Sequence, residues 1–258
     1  MDKFYYLIKI QFLGFRFSGW QKQKNAKTLQ HMVDRTISYV LGHDNHKTLG
    51  AGRTDSKVSA NEFAFELFVS EPLDTIDFSK KFNDNLPPDL SVLEIQEVNE
   101  AFNVLKNAKT KEYLYIFTHE EKPHPFAAPL MVYFPYDLDI DLMKKGAALF
   151  VGTHNFYNFC YRPGALTQTV RKIDHCEIEE NTIYTANFFP KRSWVFHVHG
   201  GGFMRHQVRL MMGALVKLGR GEVTLDDLSA SLSGKDIKKL DYIAPSSGLM
   251  LNRIEFSL

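Results

Sequence analysis

The sequence predicts an α+β fold with two α/β-mixed halves. Each half carries an antiparallel sheet flanked by helices, and the halves face a central active-site cleft. Three observations lead there. Strand-like and helix-like runs are mixed without strict βαβ alternation, which disfavours a doubly wound parallel sheet. The chain has 258 residues, 44% hydrophobic, with 21 phenylalanines, enough for one large core or two smaller ones. No low-complexity linker interrupts it, so the halves are expected to pack closely. The boundary falls near residues 100–110, giving an N-terminal half over 1–103 and a C-terminal half over 104–258.

The elements follow from period and punctuation. Phe4 to Phe12 reads as a strand, and residues 13–27 as a Gly/Ser/Lys-rich loop. Thr28 suits an N-cap for a helix to Leu41, which Gly42 ends. Residues 46–49 form a short strand. Asn61–Val69 reads as another, its core at Phe63–Val69. A short helix is expected over Asp77–Asn83, then a break at Leu86-Pro87-Pro88 and a strand over Ser91–Val98. In the second half, Glu112–Thr118 is a strand and Ile140–Phe150 a helix. Arg171–Glu179, Ile183–Phe189 and Ser193–His199 form an antiparallel set. A long helix over Phe203–Leu218, a second over Leu225–Leu232 and a strand over Leu249–Phe256 close the chain.

Composition excludes some classes. Cys160 and Cys176 form neither a CxxC pair nor a disulfide framework, which suits a reducing compartment. The start, Met1 to Tyr6, reads as a strand rather than a signal peptide, and no apolar run has the length of a membrane span. A cytoplasmic location is expected. The net charge of +1 announces no basic field, although local patches can still bind nucleic acid.

The chemistry centres on Gly50-Ala51-Gly52-Arg53-Thr54-Asp55. A carboxylate follows an arginine by two residues on a loop that the next strand can hold. Asp55 reads either as a turn aspartate bonding its own backbone or as a nucleophile or base. A dinucleotide fingerprint is rejected, because Asp55 stands where the third glycine belongs and a strand follows, not a helix. A second feature is the helix after Gly200-Gly201-Gly202. There Arg205 and Arg209 are four apart and share a face, beside an apolar stripe of Met204, Val208, Met211, Leu215 and Leu218. These arginines are either solvated or available to a carboxylate, whose pKa such pairing would depress. The triglycine run and helix N-terminus could receive a phosphate.

Tyr113 and Tyr115 share a strand face. They read as core, or as a surface on which a displaced nucleobase stacks. Basic residues cluster with aromatics around Arg16, Phe17, Trp20, Lys22, Lys24 and Lys27, and again at Lys106, Lys109 and Lys111. Such clusters are solvated faces or an RNA-backbone groove. His197 and His199 lack a third metal ligand at usable spacing.

Taken in order, these pieces resemble the bacterial TruA family of tRNA pseudouridine synthases over nearly the whole chain. Gly19-Trp20-Gln21 with Gln23 is similar to a GWQxQ loop, and Thr28-Leu29-Gln30 to a TxQ helix start. Gly52-Arg53-Thr54-Asp55 is similar to a GRTD motif, and Asn85-Leu86-Pro87 with Asp89 to the loop that follows. Lys111 to Tyr115 resembles the tyrosine strand, and Gly152 to Phe156 with Phe159 a GxHDFxxF run. Thr169-Val170-Arg171 resembles TxR. Phe203 through Arg209 with Gly213 resembles FxxxxVRxxxG, and Ala244-Pro245 with Gly248-Leu249 and Leu251 resembles APxxGLxL.

The resemblance implies the pseudouridine synthase fold, with Asp55 as catalytic aspartate, Tyr113 stacking on the target base, Arg209 pairing with Asp55, and Arg53 holding the uridine out of the stack. Trp20, Lys22, Lys24, Lys57, Lys111 and Arg205 are the RNA-contact candidates. It further implies a homodimer acting on tRNA, with no cofactor and no metal, at uridines 38, 39 or 40 of the anticodon stem-loop. Direct attack at C1′, addition to the base and proton abstraction all remain open, and each requires an ionised Asp55.

Departures from the pattern are specific. Lys57 and Ser59 replace the glycine and histidine of GRTDxGVHA, Leu13-Gly14 stands in a Y-D-G turn, Leu105 replaces an arginine, and Asn155 an aspartate. They keep two alternatives in view: a divergent paralogue acting on another RNA or other tRNA uridines, and a non-catalytic RNA-binding protein.

Overall fold

The computed structural model describes residues 3–234 and 241–257. In the strand expected at the chain start, Met1 and Asp2 lie outside the described residues. In chain order the elements are β1 (Phe4–Phe12), α1 (Leu29–Leu41), β2 (His46–Gly50), β3 (Ser59–Val69), α2 (Thr75–Asn85), β4 (Leu90–Val98), β5 (Ala108–Thr118), β6 (Val132–Tyr133), α3 (Ile140–Ala148), β7 (Gly152–Asn155), β8 (Val170–Glu180), β9 (Trp194–Gly200), α4 (Gln207–Gly219), α5 (Leu225–Leu232) and β10 (Leu249–Phe256). This is a mixed α+β fold whose strands pair mostly antiparallel. It divides into two compact units. One holds the residues up to Lys109 and those from Met250 onward; the other is Thr110–Leu249.

In the first unit, β1 lies between β3 and β4 and pairs antiparallel with both. β2 adds to β3 in the same sense. β1 has Tyr6, Leu7, Ile8, Ile10 and Phe12 buried, so a nine-residue run that is apolar except for Lys9 and Gln11 suits a strand covered on more than one side. α1 starts where the Thr28 hydroxyl accepts from the amide of His31 and stops at Gly42, which takes φ +75°. α2 is longer than the sequence suggests, because Asp74 caps it by accepting from the amides of Ile76 and Asp77 at 3.1 Å.

The last strand belongs with this unit, although chain order places it in 104–258. β10 pairs parallel with β3 through Met250↔Ser59 and Leu251↔Ala60. The Asn61 side-chain amide donates to Asn252 Oδ1 at 2.7 Å, and Phe256 packs on Phe102.

In the second unit, β9 lies between β5 and β8, antiparallel to both, and β7 flanks β8. β7 and the short β6, which pairs parallel with β5, have no counterpart in the sequence reading. The expected strand over Ile183–Phe189 does not form. Asn181 folds the segment back instead: its Oδ1 accepts from the amide of Tyr184, and its side-chain amide donates to Tyr184 O and Ser193 Oγ. Tyr184, Phe188 and Phe189 then cover the cluster of Leu114, Ile116, Ala127, Met131 and Val195. The apolar residues that suggest a strand are satisfied by packing rather than by a ladder.

α4 also departs from expectation. It begins at Gln207, after His206 at φ +60°, rather than at Phe203. Among its residues only Arg209 and Lys217 escape full burial, so the stripe has become a helix buried nearly all round.

Candidate active site

The Asp55 loop in the first unit is held by the chain before α1. Trp20 N donates to Thr54 O at 3.4 Å and Lys57 N to Phe17 O at 3.0 Å. Ser56 Oγ donates to the same Phe17 carbonyl at 3.2 Å, and Val58 N to Asp55 O at 3.2 Å. Asp55 itself is half-buried, with Arg53 and Lys57 exposed on either side of it. A carboxylate in such a place is positioned by backbone bonds on both flanks, which a solvated turn aspartate does not require.

The two departures near Asp55 have structural roles. Lys57 adopts φ +68°, the left-handed conformation in which glycine costs nothing. A lysine thus takes a backbone conformation that glycine adopts freely, and its Nζ lies 5.5 Å from the centre of the Phe15 ring. Ser59 is 3% exposed, and its hydroxyl accepts from the amide of Gly14 at 3.0 Å. A Cβ on Gly14 would overlap the carbonyl oxygen of Val58, so only glycine allows this approach.

Several motif residues prove structural. Trp20, expected to contact RNA, is 1% exposed and packs on Phe63 with ring centres 4.2 Å apart. A large apolar ring beside this sheet gains more from burial than from solvent. Gln30 accepts from Gln21 Nε2 at 2.9 Å and from Lys22 N at 3.1 Å, and donates to Thr48 O and Oγ1. It thereby fastens the loop to β2. Lys22 pairs with Asp34, while Lys24 is exposed. Asp89 receives a two-pronged bond from Arg16, with Nη2 to Oδ1 at 2.6 Å. Asn155 keeps the turn that an aspartate would make, because its Oδ1 accepts from Tyr157 N at 3.1 Å.

The second unit presents Tyr113 and Arg209. Tyr113 on β5 is half-buried and meets Phe203 edge-on, with centres 5.1 Å apart at 84°. Tyr115, on the same strand face, is fully buried and donates to Pro245 O at 2.7 Å. Burial pushes its hydroxyl well above the ordinary tyrosine range, so it stays neutral. Lys111, two residues before Tyr113, is half-buried, and burial lowers its pKa. Lys24 and Lys57, by contrast, are exposed.

Arg209 Nε donates to Ala244 O at 2.7 Å, and Ala244 N donates back to Arg209 O at 3.1 Å. The closing motif thus orients the arginine of the helix motif. Gly213, one turn on, admits the segment at Tyr242, whose carbonyl oxygen a Cβ would overlap.

Arg205 does not share a face with Arg209, because it precedes the helix; it is exposed and lies over Tyr161. Nor does the triglycine run abut the helix N-terminus. Residues 203–206 intervene, and Gln207 Oε1 there accepts from Met204 N at 2.9 Å. Gln30 and Ala244 stand in recognisable motifs, but nothing local names their partners Thr48 and Arg209, nor Gly14 as the partner of Ser59.

Comparison with known proteins identifies the family. The model of the family described as tRNA pseudouridine synthase matches residues 147–257. A Bacillus anthracis protein called "tRNA pseudouridine synthase A 2" is 31% identical over 97% of this chain and 99% of its own. "tRNA pseudouridine synthase A" of Pseudothermotoga lettingae is 32% identical with the same coverage. That of Exiguobacterium sibiricum is 32% identical over 94% of this chain and 92% of its own. The chain belongs to the tRNA pseudouridine synthase family, a family of isomerases.

Among the described residues, no helix is long and apolar enough to cross a membrane, and no group of three or more His, Cys, Asp or Glu is placed to hold a metal ion.

Proposed function

We infer that this protein converts uridine to pseudouridine in tRNA, with Asp55 as the reacting carboxylate. The N1–C1′ bond of the uridine breaks, the base turns, and a C5–C1′ bond forms. The proton leaves C5, and N1 ends protonated. Atoms and electrons balance within the nucleotide. The observation that carries this reading is Asp55, half-buried on a loop whose flanks are fixed by backbone bonds from Trp20, Lys57 and Val58.

Arg209 is assigned the pairing that keeps Asp55 ionised, and its guanidinium plane is set by Ala244 O. Tyr113 supports the displaced base as an aromatic surface. Arg53, exposed two residues before Asp55, holds the uridine out of the RNA stack. Lys24 and Lys57 are exposed cations suited to backbone phosphates. The target is the anticodon stem-loop at uridines 38, 39 or 40, and the protein acts as a cytoplasmic homodimer.

The test is to map pseudouridine in total RNA from a strain lacking this protein. Loss confined to those uridines supports the reading. Intact anticodon stem-loops with loss in another RNA favour a divergent paralogue, a reading that the exposed Lys57 beside Asp55 keeps open. No loss anywhere overturns the enzymatic assignment.

A further inference from the structure

The ring of Tyr161 carries three basic neighbours. Arg205 Cζ lies 4.9 Å and Arg162 Cζ 5.1 Å from its centre. The His206 ring lies 4.8 Å away, tilted by 32°. Tyr161 N donates to Arg205 O at 3.1 Å, which joins the loop before β8 to the start of α4. Arg162 and His206 adopt φ +50° and +60°, where residues with side chains are uncommon and where strain collects at functional positions.

Both arginines are exposed, and among the described residues neither forms an ion pair. No Asp or Glu occurs between Asp141 and Asp174, nor between Glu180 and Glu222, so the two segments that build the cluster carry no acid of their own. The two guanidinium groups lie within about 10 Å of each other, and an anion beside them would offset their mutual repulsion. A guanidinium fork matches a phosphate with two parallel hydrogen bonds. The ring supports the cations and is thereby covered, so the ligand is a phosphodiester rather than a stacked base.

We propose that Tyr161, Arg162, Arg205 and His206 form a phosphate-binding patch that grips the backbone of the RNA substrate. It rests on the reading of the protein as an RNA-modifying enzyme.

The experiment measures the affinity of the full chain for unmodified tRNA across a salt series, for the wild type, Arg162→Ala, Arg205→Ala and the double variant. Melting curves and kinetics accompany the binding. Each single variant should weaken binding roughly 3- to 10-fold, and the double variant should reduce the slope of log affinity against log salt by about 0.7 for each phosphate no longer gripped. The kinetic loss should fall on KM rather than kcat, and Arg205→Lys should recover part of it. If an alanine variant melts lower, Arg162→Gln and Arg205→Gln replace it. Wild-type affinity and slope in the double variant overturn the patch, even if the wild type forms pseudouridine normally. Weakened binding by variants of a wild type that forms no pseudouridine keeps the patch and overturns the enzymatic reading.

Discussion

Arg209 and Ala244 hold each other from both sides. The arginine Nε donates to the Ala244 carbonyl at 2.7 Å, and the Ala244 amide donates to the Arg209 carbonyl at 3.1 Å. A guanidinium anchored through Nε has its plane fixed, so its outer nitrogens point in one direction. Lysine cannot reproduce that anchor. Arg209→Ala is expected to lower pseudouridine formation by about 100-fold or more, the scale of losing one charge-stabilising group. Arg209→Lys should restore only a small part. Single-turnover rates on unmodified tRNA check this; a lysine variant with the wild-type rate would show that charge alone suffices.

Ser59 supports the Asp55 loop from beneath, through the amide of Gly14 at 3.0 Å. Ser59→Ala leaves that buried amide without its acceptor, a loss of about 1–3 kcal/mol. Denaturant unfolding should return a free energy lower by that amount, with a correspondingly lower midpoint. An unchanged midpoint would mean that water replaces the hydroxyl.

Lys57 holds a conformation at φ +68° that glycine takes freely. A residue with a side chain costs about 1–2 kcal/mol there, while glycine gives back about 0.5–1 kcal/mol through the freedom of the unfolded chain. Lys57→Gly should therefore be as stable as the wild type or up to about 1.5 kcal/mol more stable, while Lys57→Val should be less stable. If Lys57 contacts RNA, Lys57→Gly should also bind tRNA more weakly. Melting curves and tRNA binding on the same variants separate the two effects.

Glu66 is buried on β3, where its Oε2 accepts from Val104 N at 3.1 Å. Burial raises its pKa, and the bond from Val104 partly opposes that. Because the folded value lies above the unfolded one, its stabilising contribution is complete below the unfolded pKa, near pH 4. It is lost as pH rises through the folded value. Glu66→Gln keeps the acceptor and removes the charge. It should melt like the wild type near pH 4 and higher than the wild type at pH 7. A difference that does not grow with pH would contradict the shift.

Much of the fold is legible in sequence because local chemistry sets it. α1 is bounded by the Thr28 cap and Gly42, and β1 by an apolar run that ends at a glycine turn. Where distant contacts decide, the sequence misleads. Ile183–Phe189 has a strand's composition, yet Asn181 turns it and the cluster beneath absorbs its rings. Trp20 sits among lysines and reads as an RNA contact, yet Phe63 lies against it and buries it. Arg205 and Arg209 look like one helix face, but His206 delays the helix. Asp55, Tyr113 and Arg209 stand in motifs that a sequence displays, and so do Gln30 and Ala244, but the partners Thr48 and Arg209, like Gly14 for Ser59, lie too far along the chain for a local pattern to name.

Everything proposed for the site depends on Asp55 being the reacting carboxylate of a tRNA pseudouridine synthase. The most direct measurement incubates unmodified tRNA with the wild type and with Asp55→Asn, which keeps the shape and removes the charge, and then maps pseudouridine at each uridine. The expected result is pseudouridine in the anticodon stem-loop with the wild type and none above background with Asp55→Asn, although the variant melts normally and still binds tRNA. Pseudouridine formed at the wild-type rate by Asp55→Asn would contradict that role.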